Sequence, residues 1–503
     1  MADPEQNESA AGATGAQPRT TRRGLTVVGL VFALAMAALE ATVVSTAMPT
    51  VTGELGGIEY YSWVTNAYLV TSAITVPIFG KLADLYGRKP VLLFGIFVFL
   101  LGSGASGASQ SMLSLIAFRA LQGLGAGAMQ PMPLIILGDI FGLEDRAKAQ
   151  GAFGAAWGFF GLVGPLLGGL IVEHVSWRWV FYINIPFGIL SAFVILTAFH
   201  ERVQRNTKPN LDVAGALLLM LLIVTLLIAA GRTDGAAPFW FAAAVLLGAF
   251  VAVERRASEP ILPPHVFKNR VITTASIINA TAGGCMFAIV TFVPLYIQGV
   301  RHGTATQAGS SISPMFVGWP IASFIAGRIV AKVGFRPLVR IGIILVTCGT
   351  MALALFTHNG GLPIMVTSAL FGIGMGFANI ALVIAVQTSV SWEYRGVATA
   401  STMFFRINGG AIAVAVMGGI LVRALAVDPS IPPDAASQML SREGMAGIAP
   451  ELLEKVAGYL EGGLGTIFYA IAGLSVVALI AALLFPNVAP PATSRADVTP
   501  MPH

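Results

Sequence analysis

The sequence predicts an all-α membrane protein with 14 transmembrane helices: two six-helix bundles plus an inserted two-helix hairpin. Three observations predict it. Only 11% of the 503 residues are charged and 56% are hydrophobic, too little polar surface for a water-soluble chain of this size. Apolar runs of about 20 residues recur along the chain, each long enough to cross the ~30 Å hydrocarbon core as a helix. Lys and Arg are abundant in every second segment between the runs and scarce in the others. The runs are long and uninterrupted, whereas a membrane β-barrel would show short alternating strands.

In chain order the expected spans are 25–47, 61–80, 91–109, 113–139, 148–171, 178–199, 211–230, 238–254, 271–296, 308–331, 337–357, 362–388, 397–422 and 464–485. An even number puts both termini on one side. If that side is the cytoplasm, 21 of the 29 Lys and Arg lie in inside segments or at the inner ends of spans and 6 in outside loops or at an outer span end, with Arg119 and Arg406 deeper inside spans. This is the positive-inside pattern, and it puts both termini in the cytoplasm; the expected location is a bacterial inner membrane. The net charge of +5 therefore reports topology and gives no reason to invoke nucleic acid. Residues 1–24 are polar and rich in Ala, Gly and Pro, a disordered cytoplasmic tail too polar for a signal sequence. Residues 486–503 form a second tail. Cys285 and Cys348 fall in helices and read as small apolar fillers, because two thiols make no metal or disulfide framework.

The chain repeats. GKLADLYGRKP at 80–90 has a degenerate echo in GRIVAKVGFRP at 327–337, an offset of 247. Gly123, Gly125 and Gly127 recur as Gly372, Gly374 and Gly376, and Arg146 recurs as Arg395, both at an offset of 249. Both copies enter the membrane with the same polarity, so the repeat is parallel and its axis runs along the membrane normal. The bundles are placed at 25–200 and 271–485. The linker 201–270 carries the two extra spans between basic, Pro-containing segments. The outside loop 423–463 is the longest connection. Within it, PELLEKVAGYL puts Leu453, Val456 and Leu460 on one helical face, suited to lying along the membrane or capping the outer mouth.

With these motifs in view the chain resembles the major facilitator superfamily, in its fourteen-span drug:proton antiporter branch, over about residues 25–485. GKLADLYGRKP matches the superfamily's loop signature. RALQGLGAGAMQP (119–131) resembles its helix-four arginine motif, and GFFGLVGPLLGG (158–169) the helix-five motif of antiporters. LEATVVSTAMP (39–49), SWRWVFYINIPFG (176–188) and FRINGGAIAVAVMGG (405–419) are similar to stretches of this branch. The resemblance implies a gate built from Gly80, Asp84, Gly87 and Arg88 that latches the bundles on the cytoplasmic side, and a helix-five element from Gly164, Pro165, Gly168 and Gly169. Two departures stand out. Glu40 occupies a place where the family usually has Asp. The second loop copy has Ala331 and Phe335 where the first has Asp84 and Arg88.

The residues themselves support part of this. Ionisable groups inside a bilayer are costly and usually functional. Glu40 is the only carboxylate well inside an expected span, about 12–14 Å from Pro49 by helical rise. Arg119 lies at similar depth in the same half. Burial raises a carboxylate's pKa and a nearby Arg lowers it, so the pair could load and release a proton; a static ion pair that fixes packing is the alternative. Asp139 is a candidate proton relay or an interfacial cap. Asp84 and Arg88, four residues apart, share a helical face, while Gly80 and Gly87 permit close approach and tight turning. Small residues and a proline would let the helix carrying Gly161, Pro165, Gly168 and Gly169 pack closely and pivot. Gly123, Gly125 and Gly127 thin two faces of their helix, with packing on the first span expected.

Candidate substrate contacts are Trp63, Asn66 and Tyr68; Phe287, Phe292 and Tyr296; Met375, Asn379 and Gln387; and Phe404 and Phe405 beside Arg406. Aromatics and methionines suit variable apolar guests. Arg406 lies about 16 Å from the inner end of its span and must pair, face a wet cavity or snorkel. Trp177 and Trp179 are expected in the outer aromatic belt. No phosphate-binding loop and no His/Cys/Glu cluster occurs in the sequence, so no cofactor or metal is expected and a proton gradient is the implied drive. The reading is a monomeric exporter of small amphipathic, hydrophobic or cationic compounds in exchange for protons, not an enzyme. Glu40 would serve proton and cation in turn. A same-fold porter for a lipid, sugar or metabolite is the runner-up. A membrane-embedded enzyme or sensor would need a clustered catalytic group or a soluble output domain.

Overall fold

The computed structural model describes residues 21–141, 143–201, 212–232, 235–257, 260–262, 266–357, 360–391, 395–428, 431–432, 434–441 and 449–488. Helices α1 (Arg23–Leu55), α2 (Tyr61–Tyr86), α3 (Arg88–Gly107), α4 (Met112–Met129), α5 (Pro131–Ile140), α6 (Leu143–His174), α7 (Trp179–Tyr182) and α8 (Asn184–Ala198) make the first half. A hairpin of α9 (Val213–Gly231) and α10 (Ala237–Glu254) follows. The second half comprises α11 (Arg270–Leu295), α12 (Ala305–Val333), α13 (Phe335–Phe356), α14 (Gly361–Thr388), α15 (Arg395–Leu425), the short α16 (Ala435–Gln438) and α17 (Pro450–Leu483). Among the described residues twelve helices are long and apolar enough to cross a membrane. The expected second and fifth spans are helices of 26 and 32 residues, α2 and α6, which are not among those twelve. Large apolar side chains such as Phe94, Phe97, Phe193, Phe241 and Phe324 are exposed, a surface suited to lipid rather than water.

The repeat reappears in the packing. In the first half α1 packs on α6 and α8, α2 on α4, and α3 on α4 and α8. In the second half α11 packs on α15 and α17, α12 on α14, and α13 on α14 and α17. The seams between the halves are α2 on α15 and α6 on α12, the same pair of positions exchanged. The backbone repeats as well. Gly87 (φ 94°) and Gly334 (φ 87°) end α2 and α12 in the positive-φ region and donate N–H to Ala83 and Val330. A side chain would be strained there, so these glycines make the tight turn. Gly80 differs from its expected role: a Cβ there would meet open space.

The glycine triplets explain the contacts of α4 and α14. A Cβ on Gly123 or Gly127 would strike α2 at Tyr68, Thr71 or Thr75, and one on Gly125 would strike α3 at Gly95 and Phe99. Gly372 and Gly376 face α12 in the same way, and Gly374 faces α13. Packing is therefore on the second and third helices of each half, not on the first span as expected. Helix α6 is thinned on two faces. Gly164 and Gly168 lie against Thr42, Val43 and Thr46 of α1, and Gly158, Gly161 and Gly169 against α12.

Several expected boundaries shift. Helix α1 runs past Pro49 to Leu55, so Glu40 lies deeper from its end than a count from Pro49 implies. The fourth span is divided at Gln130, because Pro131 and Pro133 supply no backbone N–H there. Residues 450–460 are not a separate surface helix but the opening turns of α17, with Val456 and Leu460 buried. Trp177 is buried rather than in an aromatic belt, and Trp179 is exposed. Cys285 is a buried filler, whereas Cys348 is exposed. Of the tail expected at 1–24, residues 1–20 lie outside the described residues, and Arg23 already begins α1; the tail at 486–503 is described only to 488.

Among the described residues, hydrogen bonds joining the halves cluster at the end where α1 terminates. Gln298, in a π turn at Tyr296–Val300, donates to the Thr46 carbonyl and accepts from Thr50. Thr306 donates to Glu173 at 2.7 Å, Ser437 of α16 accepts the Ile58 N–H, and Tyr61 donates to the Thr291 carbonyl. One apolar core joins this end of the first half to the length of the second half; another holds the opposite end of the first half together with the hairpin.

Candidate functional site

Helix α1 carries Glu40 into the centre of the first half, where α4 presents Arg119 and Gln122 one turn apart. Glu40 is 3% exposed and Arg119 2%. Arg119 Nη1 is ion-paired and hydrogen-bonded to Glu40 Oε1. Glu40 Oε2 accepts from Gln122 Nε2 at 2.8 Å and from Asn184 Nδ2 at 2.8 Å. Ser103 Oγ accepts from the same two amides and donates to the Phe181 carbonyl. Arg119 also donates to Gln122 Oε1 at 2.7 Å and to the Val64 carbonyl at 3.3 Å, and its guanidinium lies 4.4 Å from the Tyr68 ring centroid. A buried ion pair loses more in desolvation than it gains unless its remaining lone pairs and protons are bonded. Gln122, Asn184 and Ser103 supply those bonds. Sequence reasoning missed all three residues, although Gln122 follows Arg119 by three positions on one helical face and Asn184 lies within SWRWVFYINIPFG.

Beside this network a cavity of about 430 Å³ lies between the halves. Its walls include Glu40, Tyr68 and Arg119 from the first half and Phe287, Trp319, Asn379 and Arg406 from the second. Arg406 Nη1 donates to Asn379 Oδ1 at 3.2 Å. Six of the residues singled out in the sequence thus meet at one cavity: Glu40, Arg119, Tyr68, Phe287, Asn379 and Arg406. Both Glu40 oxygens are already bonded, which runs against a carboxylate held open for a cation.

The other candidates lie elsewhere. Asn66 is buried in α2 with no hydrogen-bond partner on either amide atom. Phe292 packs on Tyr61, and Tyr296 packs on Phe468 and donates to the Thr357 carbonyl. Met375 is buried in α14, Gln387 donates to Thr399, and Phe405 stacks edge-on with Phe267. None of these six lines the cavity. Asp139 also lies away from Glu40: it is ion-paired to Arg88 at 2.5 Å. Glu201 accepts the Arg88 and Lys89 backbone N–H groups and lies 3.5 Å from the Arg88 guanidinium, capping α3. This junction ties α3 to the ends of α5 and α8 within the first half. The side chain of Asp84 lies outside the described residues.

The family model for the Major Facilitator Superfamily matches residues 30–414. The chain belongs to the major facilitator superfamily. It is a multi-pass membrane transporter and not an enzyme. Among curated relatives, it is 38% identical over 414 residues to the multidrug transporter protein MdtP of Bacillus subtilis (strain 168), covering 80% of this chain and 76% of that one. It is 37% identical over 403 residues to multidrug resistance protein 3 of the same organism, covering 78% of each. An uncharacterised transporter of the superfamily from Mycobacterium tuberculosis (strain ATCC 25618 / H37Rv) is 34% identical over 490 residues, covering 93% of this chain and 70% of that one. Among solved structures, a bacterial homologue of the human lysosomal transporter Spinster in an inward-facing, unoccupied conformation superposes with a TM-score of 0.64 at 15% identity, covering 92% of this chain and 97% of that one. The nucleoside transporter NupG gives 0.63 at 12% identity, covering 92% and 99%. At these identities the structural likeness extends to the fold alone.

Proposed function

We propose that this transporter is a proton-coupled exporter of amphipathic drugs or toxic compounds, working by alternating access. The observation that carries the reading is Glu40: a carboxylate in a membrane span, ion-paired to Arg119, that forms part of the wall of a cavity between two packed halves. Protonation of Glu40 would release Arg119 and two amide donors, and deprotonation would restore them. Proton binding is thereby tied to the packing of α1, α4 and α8. The moving bodies are residues 25–200 and 271–485, with the hairpin of 201–270 travelling beside them, in a fourteen-span chain with both termini in the cytoplasm. The cluster of hydrogen bonds at the α1 terminus marks the closed outer side in this account, so the cavity serves the cytoplasm. Gly87 and the Arg88–Asp139 junction form the inner hinge, and the two thinned faces of α6 let it slide against α1 and α12. The multidrug relatives support the substrate range.

The test is transport by purified protein in liposomes with an imposed pH gradient, across a panel of dyes and antibiotics. Gradient-dependent export that an uncoupler abolishes is the expected result. Transport indifferent to the gradient would refute proton coupling.

A further inference from the structure

The charges around the cavity are unequal. Its charged wall residues are Glu40, Arg119 and Arg406. Glu40 is neutralised by Arg119, and both its oxygens are filled by donors. Among the described residues Arg406 has no such counterpart: its polar contact there is the Asn379 carbonyl oxygen, a neutral acceptor that satisfies one of five N–H donors. Its place is built rather than incidental. A Cβ on Gly283 of α11 would press on the Arg406 side-chain stem and carbonyl, so only a glycine leaves room for this arginine. Met286, Phe287, Phe316 and Trp319 share the cavity, an apolar lining beside one uncompensated guanidinium.

We propose that Arg406 with Asn379 is an anion subsite, and that the preferred substrates are amphipathic anions: an apolar body on the aromatic lining and a carboxylate or sulfonate on the guanidinium. An uncompensated charge in a cavity of low dielectric favours a counter-ion, and a planar guanidinium matches a two-oxygen acid group. This deepens the transporter reading of the same cavity and rests on it. It replaces the cationic substrate expected from Glu40 alone.

The experiment compares two probes with one apolar body, pyrenebutyrate and its trimethylammonium analogue, by equilibrium dialysis against full-length protein in lipid nanodiscs, with empty nanodiscs subtracted. The proposal expects pyrenebutyrate to bind the tighter, and Arg406→Gln to weaken it about tenfold or more, as loss of a charge-assisted bond does. Arg406→Lys should retain part of the affinity, which separates charge from packing. Tighter binding of the cationic probe, or equal pyrenebutyrate affinity in Arg406→Gln and the unsubstituted protein, would overturn it. Gradient-driven transport is measured in parallel on the same preparations. Arg406-dependent anion binding without transport would sink the exporter reading and keep the subsite. Transport of the cation with no effect of Arg406 would do the reverse.

Discussion

Asn66 is buried in α2 with both amide atoms unpartnered, and an unsatisfied buried polar group costs about 1–3 kcal/mol. Asn66→Leu should therefore stabilise the conformation described here. The check is the melting temperature of the detergent-solubilised protein, with a rise expected. The Glu40 network predicts the opposite sign. Gln122→Leu leaves Glu40 and Ser103 each short of a donor, so it should destabilise by about 1–3 kcal/mol in the same melt and weaken coupling in liposomes. Glu40, Arg119 and Arg406 were legible in the sequence because charge inside an apolar run stands out. Gln122, Asn184 and Ser103 were not, since neutral polar residues are common in spans and only three-dimensional convergence marks these. Tyr68, Phe287 and Asn379 line the cavity, but other aromatic and amide candidates do not, for a related reason. A residue's position along a helix does not give the direction it faces, and Phe292, Tyr296 and Met375 turn into packing rather than the cavity.

Elements were read more securely than residues, because length and hydropathy act over twenty positions and tolerate local error. What the sequence could not supply was the partner of each thinned face. The glycine triplet of α4 was read as thinning two faces, yet which helices it meets depends on the fold. The contact of α6 with α12 gives a sharp test. A side chain on Gly309 would collide with the Pro165 carbonyl, so Gly309→Val should prevent close packing of that seam. Overpacking costs about 1–3 kcal/mol, and the expected readout is a lowered melting temperature with transport lost. Gly473→Ala, where a Cβ meets open space, is the matched control and should leave both unchanged.

At the scale of the whole molecule, the two halves share one packing scheme but not one chemistry. The first holds the carboxylate, its amide donors and the Arg88–Asp139 junction; the second holds Arg406, hydrogen-bonded to the neutral amide of Asn379. The parallel repeat announced the shared scheme, and the missing acid and arginine at Ala331 and Phe335 announced the asymmetry. The hydrogen bonds near the α1 terminus should open in each cycle. In a protein with Cys285 and Cys348 replaced by Ala, a disulfide between Thr50→Cys and Gln298→Cys should stop transport, and reduction should restore it. The central claim, that Glu40 carries the proton between these halves, is tested most directly by Glu40→Gln in liposomes, comparing gradient-driven uphill export with substrate-for-substrate exchange across equal pH. The account predicts that uphill export is abolished while exchange persists. Undiminished uphill export by Glu40→Gln would contradict it.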